Sequence, residues 1–78
     1  MDSQLERAKA LFLGGVAHYG AGRLPEAERD FAAALALAPG RPSVLTNLGA
    51  VRLKLGRVAE ALQLLQQALA QEPDNAEA

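Results

Sequence analysis

Residues 42–75 read PSVLTNLGAVRLKLGRVAEALQLLQQALAQEPDN, and residues 8–41 read AKALFLGGVAHYGAGRLPEAERDFAAALALAPGR. Laid over one another at an offset of 34, they agree at Leu11/Leu45, Gly15/Gly49, Gly22/Gly56, Arg23/Arg57, Glu26/Glu60, Ala27/Ala61, Ala34/Ala68, Leu35/Leu69, Ala36/Ala70 and Pro39/Pro73. Placement carries more weight here than number. Small residues fall on small residues, and the inter-segment glycines and the terminal prolines align. A fixed period between about 20 and 50 residues marks a stacked repeat.

Pro and Gly punctuate each copy into two segments, so the chain reads as four helices near 4–21, 25–38, 42–55 and 59–72, with no strand. Ser3 followed by Glu6 has the spacing of a capping box. Pro25 and Pro42 suit the first helical position, where the missing N–H has no partner to lose. Pro39 and Pro73 stop the second helix of each copy, and Gly56 suits the left-handed residue that closes a helix. Within segments, Leu62, Leu65 and Leu69, and likewise Leu45, Leu48 and Leu55, recur at helical spacing. Short loops make neighbouring helices antiparallel. The expected fold is all-α: tandem antiparallel helical hairpins in one domain over residues 1–78.

Composition agrees. Alanine and leucine supply 31 of the 78 residues, and the β-branched residues are Val16, Val44, Val51, Val58 and Thr46 alone. That mixture favours helix over sheet. The formal net charge is -1, without the excess of Lys and Arg that nucleic acid or an anionic membrane requires. Cysteine is absent, which removes disulfides, thiolate zinc sites and thiol nucleophiles. The N-terminus carries Asp2 and Glu6 where a signal peptide would be basic. No apolar run approaches the ~20 residues that span a bilayer. The expected location is cytoplasmic.

Little in the sequence carries chemistry. His18 is the sole histidine and makes no metal site by itself. Ser3 and Ser43 sit where helix starts are expected, so capping accounts for both. Glu26, Glu28 and Asp30 read as a solvated helix face. Gly15 and Gly20 have the spacing of half a phosphate loop, but Ala21-Gly22 stands where Lys-Ser/Thr is needed. The chain is therefore expected to be no enzyme, with no catalytic residue, no metal and no cofactor.

A helix–turn–helix period of 34 resembles the tetratricopeptide repeat. The second copy carries its pattern at Leu45, Leu48-Gly49, Gly56, Ala61, Leu65, Ala68 and Pro73. The first carries it at Leu11, Gly15, Gly22, Ala27, Phe31, Ala34 and Pro39. It departs at the first-helix tyrosine, which is His18 in one copy and Arg52 in the other, and at Gly14, which replaces an apolar residue. Repeat one then spans about 8–41, repeat two 42–75, and residues 76–78 begin a truncated third.

The resemblance implies a concave groove lined by the first helix of each repeat. Its candidate residues are Lys9, Phe12, Val16 and Tyr19 from the first copy, with Leu13 beside them. From the second come Thr46, Asn47, Ala50, Leu53 and Lys54, with Ser43 beside them. Asn47 has the register from which such repeats read ligand backbone amides. The carboxylate clamp of some family members is not expected, because Phe12 and Val16 stand where it needs Lys and Asn. A second candidate surface is the C-terminal edge, where Val58, Leu62, Leu65 and Leu69 form a stripe for a third repeat or a second copy of the chain.

The function so implied is a protein-interaction module, part of a larger protein, that holds a peptide or partner segment in its groove. The alternative is a self-association or spacer segment, of the kind appended to transferase domains. The expected partner is a protein or peptide, with no nucleic acid and no membrane, and a homo-oligomer through the C-terminal edge is the further expectation.

Overall fold

The computed structural model describes residues 3–71, and these form four helices with no strand among them. They are α1 (Ser3–Gly20), α2 (Leu24–Leu37), α3 (Pro42–Lys54) and α4 (Val58–Gln71). Helix α1 packs on α2, α3 on α4, and α2 on α3. Two hairpins thus stand side by side in a slab of 37 × 36 × 18 Å. Residues 76–78, read as the start of a truncated third repeat, and Pro73, read as the stop of the fourth helix, lie outside the described residues.

The sequence repeat is a structural repeat down to single hydrogen bonds. After α1, the Arg23 N–H donates to the His18 carbonyl at 2.8 Å and the Gly22 N–H to that of Tyr19 at 3.1 Å. After α3, Arg57 donates to Arg52 at 2.8 Å and Gly56 to Leu53 at 3.0 Å. These are the paired bonds of a Schellman motif, which satisfy carbonyls a helix end leaves open. The motif needs a left-handed residue after the C-cap, and Gly22 and Gly56 supply it with φ of 80° and 88°.

Helix starts differ from expectation. Arg23 and Arg41 are the N-caps of α2 and α3, and neither makes a side-chain capping bond. Pro25 accordingly sits at the second helical position, one residue later than its sequence context suggests, because Leu24 is already helical. Pro42 opens α3, and its fixed φ starts the helix there, so Ser43 lies inside the first turn and caps nothing. Ser3 is likewise helical and is not the expected cap residue.

The core is apolar and continuous across the hairpins. Ala27, Phe31, Leu45, Leu48, Val51, Leu64 and Ala68 form one buried cluster, with Phe12, Tyr19, Leu24 and Leu55 partly buried against it. Each hairpin crosses at a glycine. A Cβ on Gly15 would stand 2.6–2.9 Å from the Phe31 ring. A Cβ on Gly49 would meet Leu65 at 3.1 Å and the Ala61 carbonyl oxygen at 3.3 Å. Gly14 is tight for a different reason, since its Cβ would lie 2.9 Å from Asp30 Oδ2.

A mid-helix glycine costs about 1 kcal/mol against alanine, so the two neighbours separate packing from propensity. Gly15→Ala is expected to lose roughly 1–3 kcal/mol through overpacking on the buried ring, despite the better helix former. Gly14→Ala meets only the end of the Asp30 side chain, which can turn aside, and is expected to be neutral or slightly stabilising. Urea unfolding of both variants checks this; Gly15→Ala emerging as the more stable of the two would refute the crossing geometry.

Candidate functional site

Between the N-terminal half of α1 and the start of α3 the structure leaves an apolar pocket of about 200 Å³. Helix α1 contributes Leu5, Ala8, Lys9, Phe12 and Leu13 to its wall. The α2–α3 connection contributes Ala38 and Arg41, and α3 contributes Ser43 and Val44. The pocket exists because α1 and α3 rest on α2 from two sides and their side chains stop short of each other at this end. Its inner wall is set by Phe12, whose ring lies 5.6 Å from that of buried Phe31, tilted by 52°.

Of the groove residues read from sequence, Lys9 and Phe12, with Leu13 and Ser43, are gathered at this pocket. The others are spread along the same two helices. Val16 and Leu53 are open to solvent, at 44% and 50% exposure. Thr46 and Lys54 are exposed, and Ala50 is half-buried. Tyr19 is half-buried and packs against the core, so it serves the hairpin more than the surface. Asn47 is half-buried, and its Nδ2 donates to the Ser43 carbonyl oxygen at 2.7 Å. That bond ties the amide to its own helix through one of its N–H groups.

The stripe on α4 also divides. Val58, Leu62 and Leu69 are exposed, Leu69 at 71%. Leu65 belongs inside the hairpin, where it fills the space over Gly49. The buried side of α4 is instead Ala61, Leu64 and Ala68. Leu64 lies between the spacings that picked out the leucine stripe.

Of the acids on α2, Glu26 is exposed as its pattern suggests, but Glu28 and Asp30 are half-buried and engaged. Glu28 Oε2 accepts from Arg52 Nε at 3.1 Å and from Arg57 Nη1 at 2.6 Å. Glu60 Oε1 lies 3.8 Å from the same Arg52 nitrogen and 4.0 Å from that of Arg57. The four charges join α2, α3 and α4, with Arg52 at the position where the family pattern has tyrosine. Asp30 Oδ2 lies 3.7 Å from His18 Nε2, the other copy of that position. Sequence offered one signal for this: Arg57 and Glu60 are the second copies of Arg23 and Glu26.

Leu5, Ala8, Ala38, Arg41 and Val44 were not legible as pocket residues, since they come from three separate segments. Among the described residues no group of three or more His, Asp or Glu side chains could hold a metal ion. No described helix is long and apolar enough to cross a membrane.

Comparison with known families matches residues 18–78 to the tetratricopeptide repeat. The match covers more than half of the chain, and the chain belongs to that family. Repeats of this family generally mediate protein–protein interaction. A search of curated proteins finds no match.

Glu28 is the acceptor that both arginines share, and its side chain is only 19% exposed. Glu28→Gln is expected to lower stability by roughly 0.5–1.5 kcal/mol, within the range for ordinary hydrogen bonds and partly exposed pairs. The loss should shrink in high salt, where the pairs are screened. Equal urea midpoints for the two proteins at low salt would show that the network adds nothing.

Proposed function

We propose that the α1–α3 face binds a peptide segment of a partner protein, and that the chain works by binding rather than by catalysis. The observation that carries this reading is the apolar pocket lined by α1, the α2–α3 connection and α3. An apolar cavity of about 150 Å³ suffices to hold a benzene ring. A pocket of about 200 Å³ therefore takes one large apolar side chain of such a segment. From there Asn47, Ala50 and Leu53 continue along α3, and Val16 along α1, giving a partner backbone a path with polar and apolar stations. Pockets of this kind, mainly apolar with a few polar groups, are the usual form of a binding site.

Leu13 is the clean probe, because it lines the pocket yet is 65% exposed, so the fold does not depend on it. Leu13→Glu is expected to abolish capture of peptides from a displayed random library while leaving thermal unfolding within about 0.5 kcal/mol of wild type. Undiminished capture by this variant would place the binding surface elsewhere.

A second reading is favoured by one observation, the exposure of Val58, Leu62 and Leu69 on α4. Glu60 is the only ionisable residue of that helix, so two copies can bring these faces together without like-charge repulsion. Burying a leucine contributes roughly 1.5–3 kcal/mol. On this reading the chain sediments as a dimer at micromolar concentration, and the Leu62→Lys, Leu69→Lys double variant as a monomer. Identical masses for the two proteins exclude α4 as the contact.

A further inference from the structure

The described acids are unevenly placed among the helices. Of the described acids, Glu26, Glu28 and Asp30 lie on α2 and Glu60 on α4, and only Glu6 lies on α1 or α3. Two of the pocket's lining residues are ionisable, Lys9 on α1 and Arg41 before α3, and both are cations. Both are exposed. Among the described residues neither has an ion-pair partner, whereas Arg52 and Arg57 are each engaged by Glu28 and Glu60. Glu6, one turn before Lys9, is not part of the pocket wall.

We infer that the segment this pocket takes is acidic: one large apolar side chain for the cavity, flanked by an aspartate or glutamate that meets Lys9 and Arg41. The inference rests on the reading of the α1–α3 face as a peptide surface and names its ligand class. Long cationic side chains lay their methylenes along apolar surface and keep their heads in water. A pocket edged by Lys9 and Arg41 is therefore apolar within and positive at its rim. Arg41 offers a planar fork suited to a carboxylate, and Lys9 a mobile point charge. A basic segment would meet two uncompensated like charges here. An acidic one meets two cations and no acid among the residues that line the pocket. The chain's net charge of -1 makes the local sign all the more selective.

The test is selection of a short random-peptide library on the whole chain, in parallel with the Lys9→Glu, Arg41→Glu double variant. Both positions are exposed, and circular dichroism confirms that the variant folds. Peptides enriched on the wild type are expected to pair one large apolar residue with neighbouring Asp or Glu. A labelled winner should bind the double variant about ten-fold more weakly or worse, and Lys9→Arg with Arg41→Lys should restore most of the difference. Raising salt should weaken the wild-type complex and leave the variant's little changed. Winners that Leu13→Glu blocks, but that are neutral or basic and indifferent to the double variant, overturn the acidic inference while the peptide surface stands. Winners that Leu13→Glu does not weaken overturn the surface itself, and the inference with it.

Discussion

The approach of α2 to α1 at Gly15 is the contact on which the rest depends. Phe31 occupies the volume that any side chain at position 15 would need, and it is fully buried there. The same ring joins the cluster that contains Leu45, Leu48 and Val51 of α3, so one residue couples the crossing of the first hairpin to the stacking of the second. It also backs Phe12 at 5.6 Å. Phe12 in turn forms the wall of the pocket. A line of contacts thus runs from a glycine in mid-helix, through the core, to the surface proposed to bind. The conformational cost of Gly14-Gly15 is offset by what their missing side chains admit.

The two copies share a backbone and differ in how they fill it. Ala27 and Ala61 are equivalent and both fully buried. Gly15 faces Phe31 where Gly49 faces Leu65, again at equivalent positions. The divergence lies one residue away. In the second copy Leu48 and Leu64 are both buried in the common core. Their counterparts in the first are Gly14 and Asp30, and Asp30 occupies the space above Gly14 while lying 3.7 Å from His18. A leucine pair in the second copy is a glycine–aspartate pair in the first. The first hairpin closes that side with charge, while the second uses the same place to join the core.

The helices and their pairing were legible because Pro, Gly and the offset of 34 act locally, through forbidden backbone states and short loops. Their exact starts were less so. Ser3 and Ser43 have capping chemistry, but Pro42 opens α3 before Ser43, and Arg41 holds the cap position without a capping bond. Part of the candidate surface was legible too, since Lys9, Phe12 and Leu13 do come together. What failed was the step from a helical stripe to a single environment. Phe12, Val16 and Tyr19 share a spacing, yet Val16 is exposed while Tyr19 packs on the core. A stripe about 100° wide spans more than one neighbour, and only the neighbours decide which of its residues stay open. Arg41 and Val44 were invisible as partners of Leu5 because no local pattern connects three segments.

That the pocket shares Phe12 with the core has a thermodynamic consequence. A core of this size supplies only about 3–5 kcal/mol. A ligand that binds the folded state alone adds RT ln(1 + [L]/Kd), about 2.7 kcal/mol when it is present at 100 times its Kd. The two quantities are of the same order, so occupation of the pocket and order in the hairpins are strongly linked. An apolar side chain seated against Phe12 reinforces the ring that Phe31 holds, and through it the joint at Gly15. The linkage also acts in reverse. Anything that loosens Gly15 against Phe31 withdraws the wall on which the ligand would rest, so affinity should follow stability even for substitutions that never touch the bound segment.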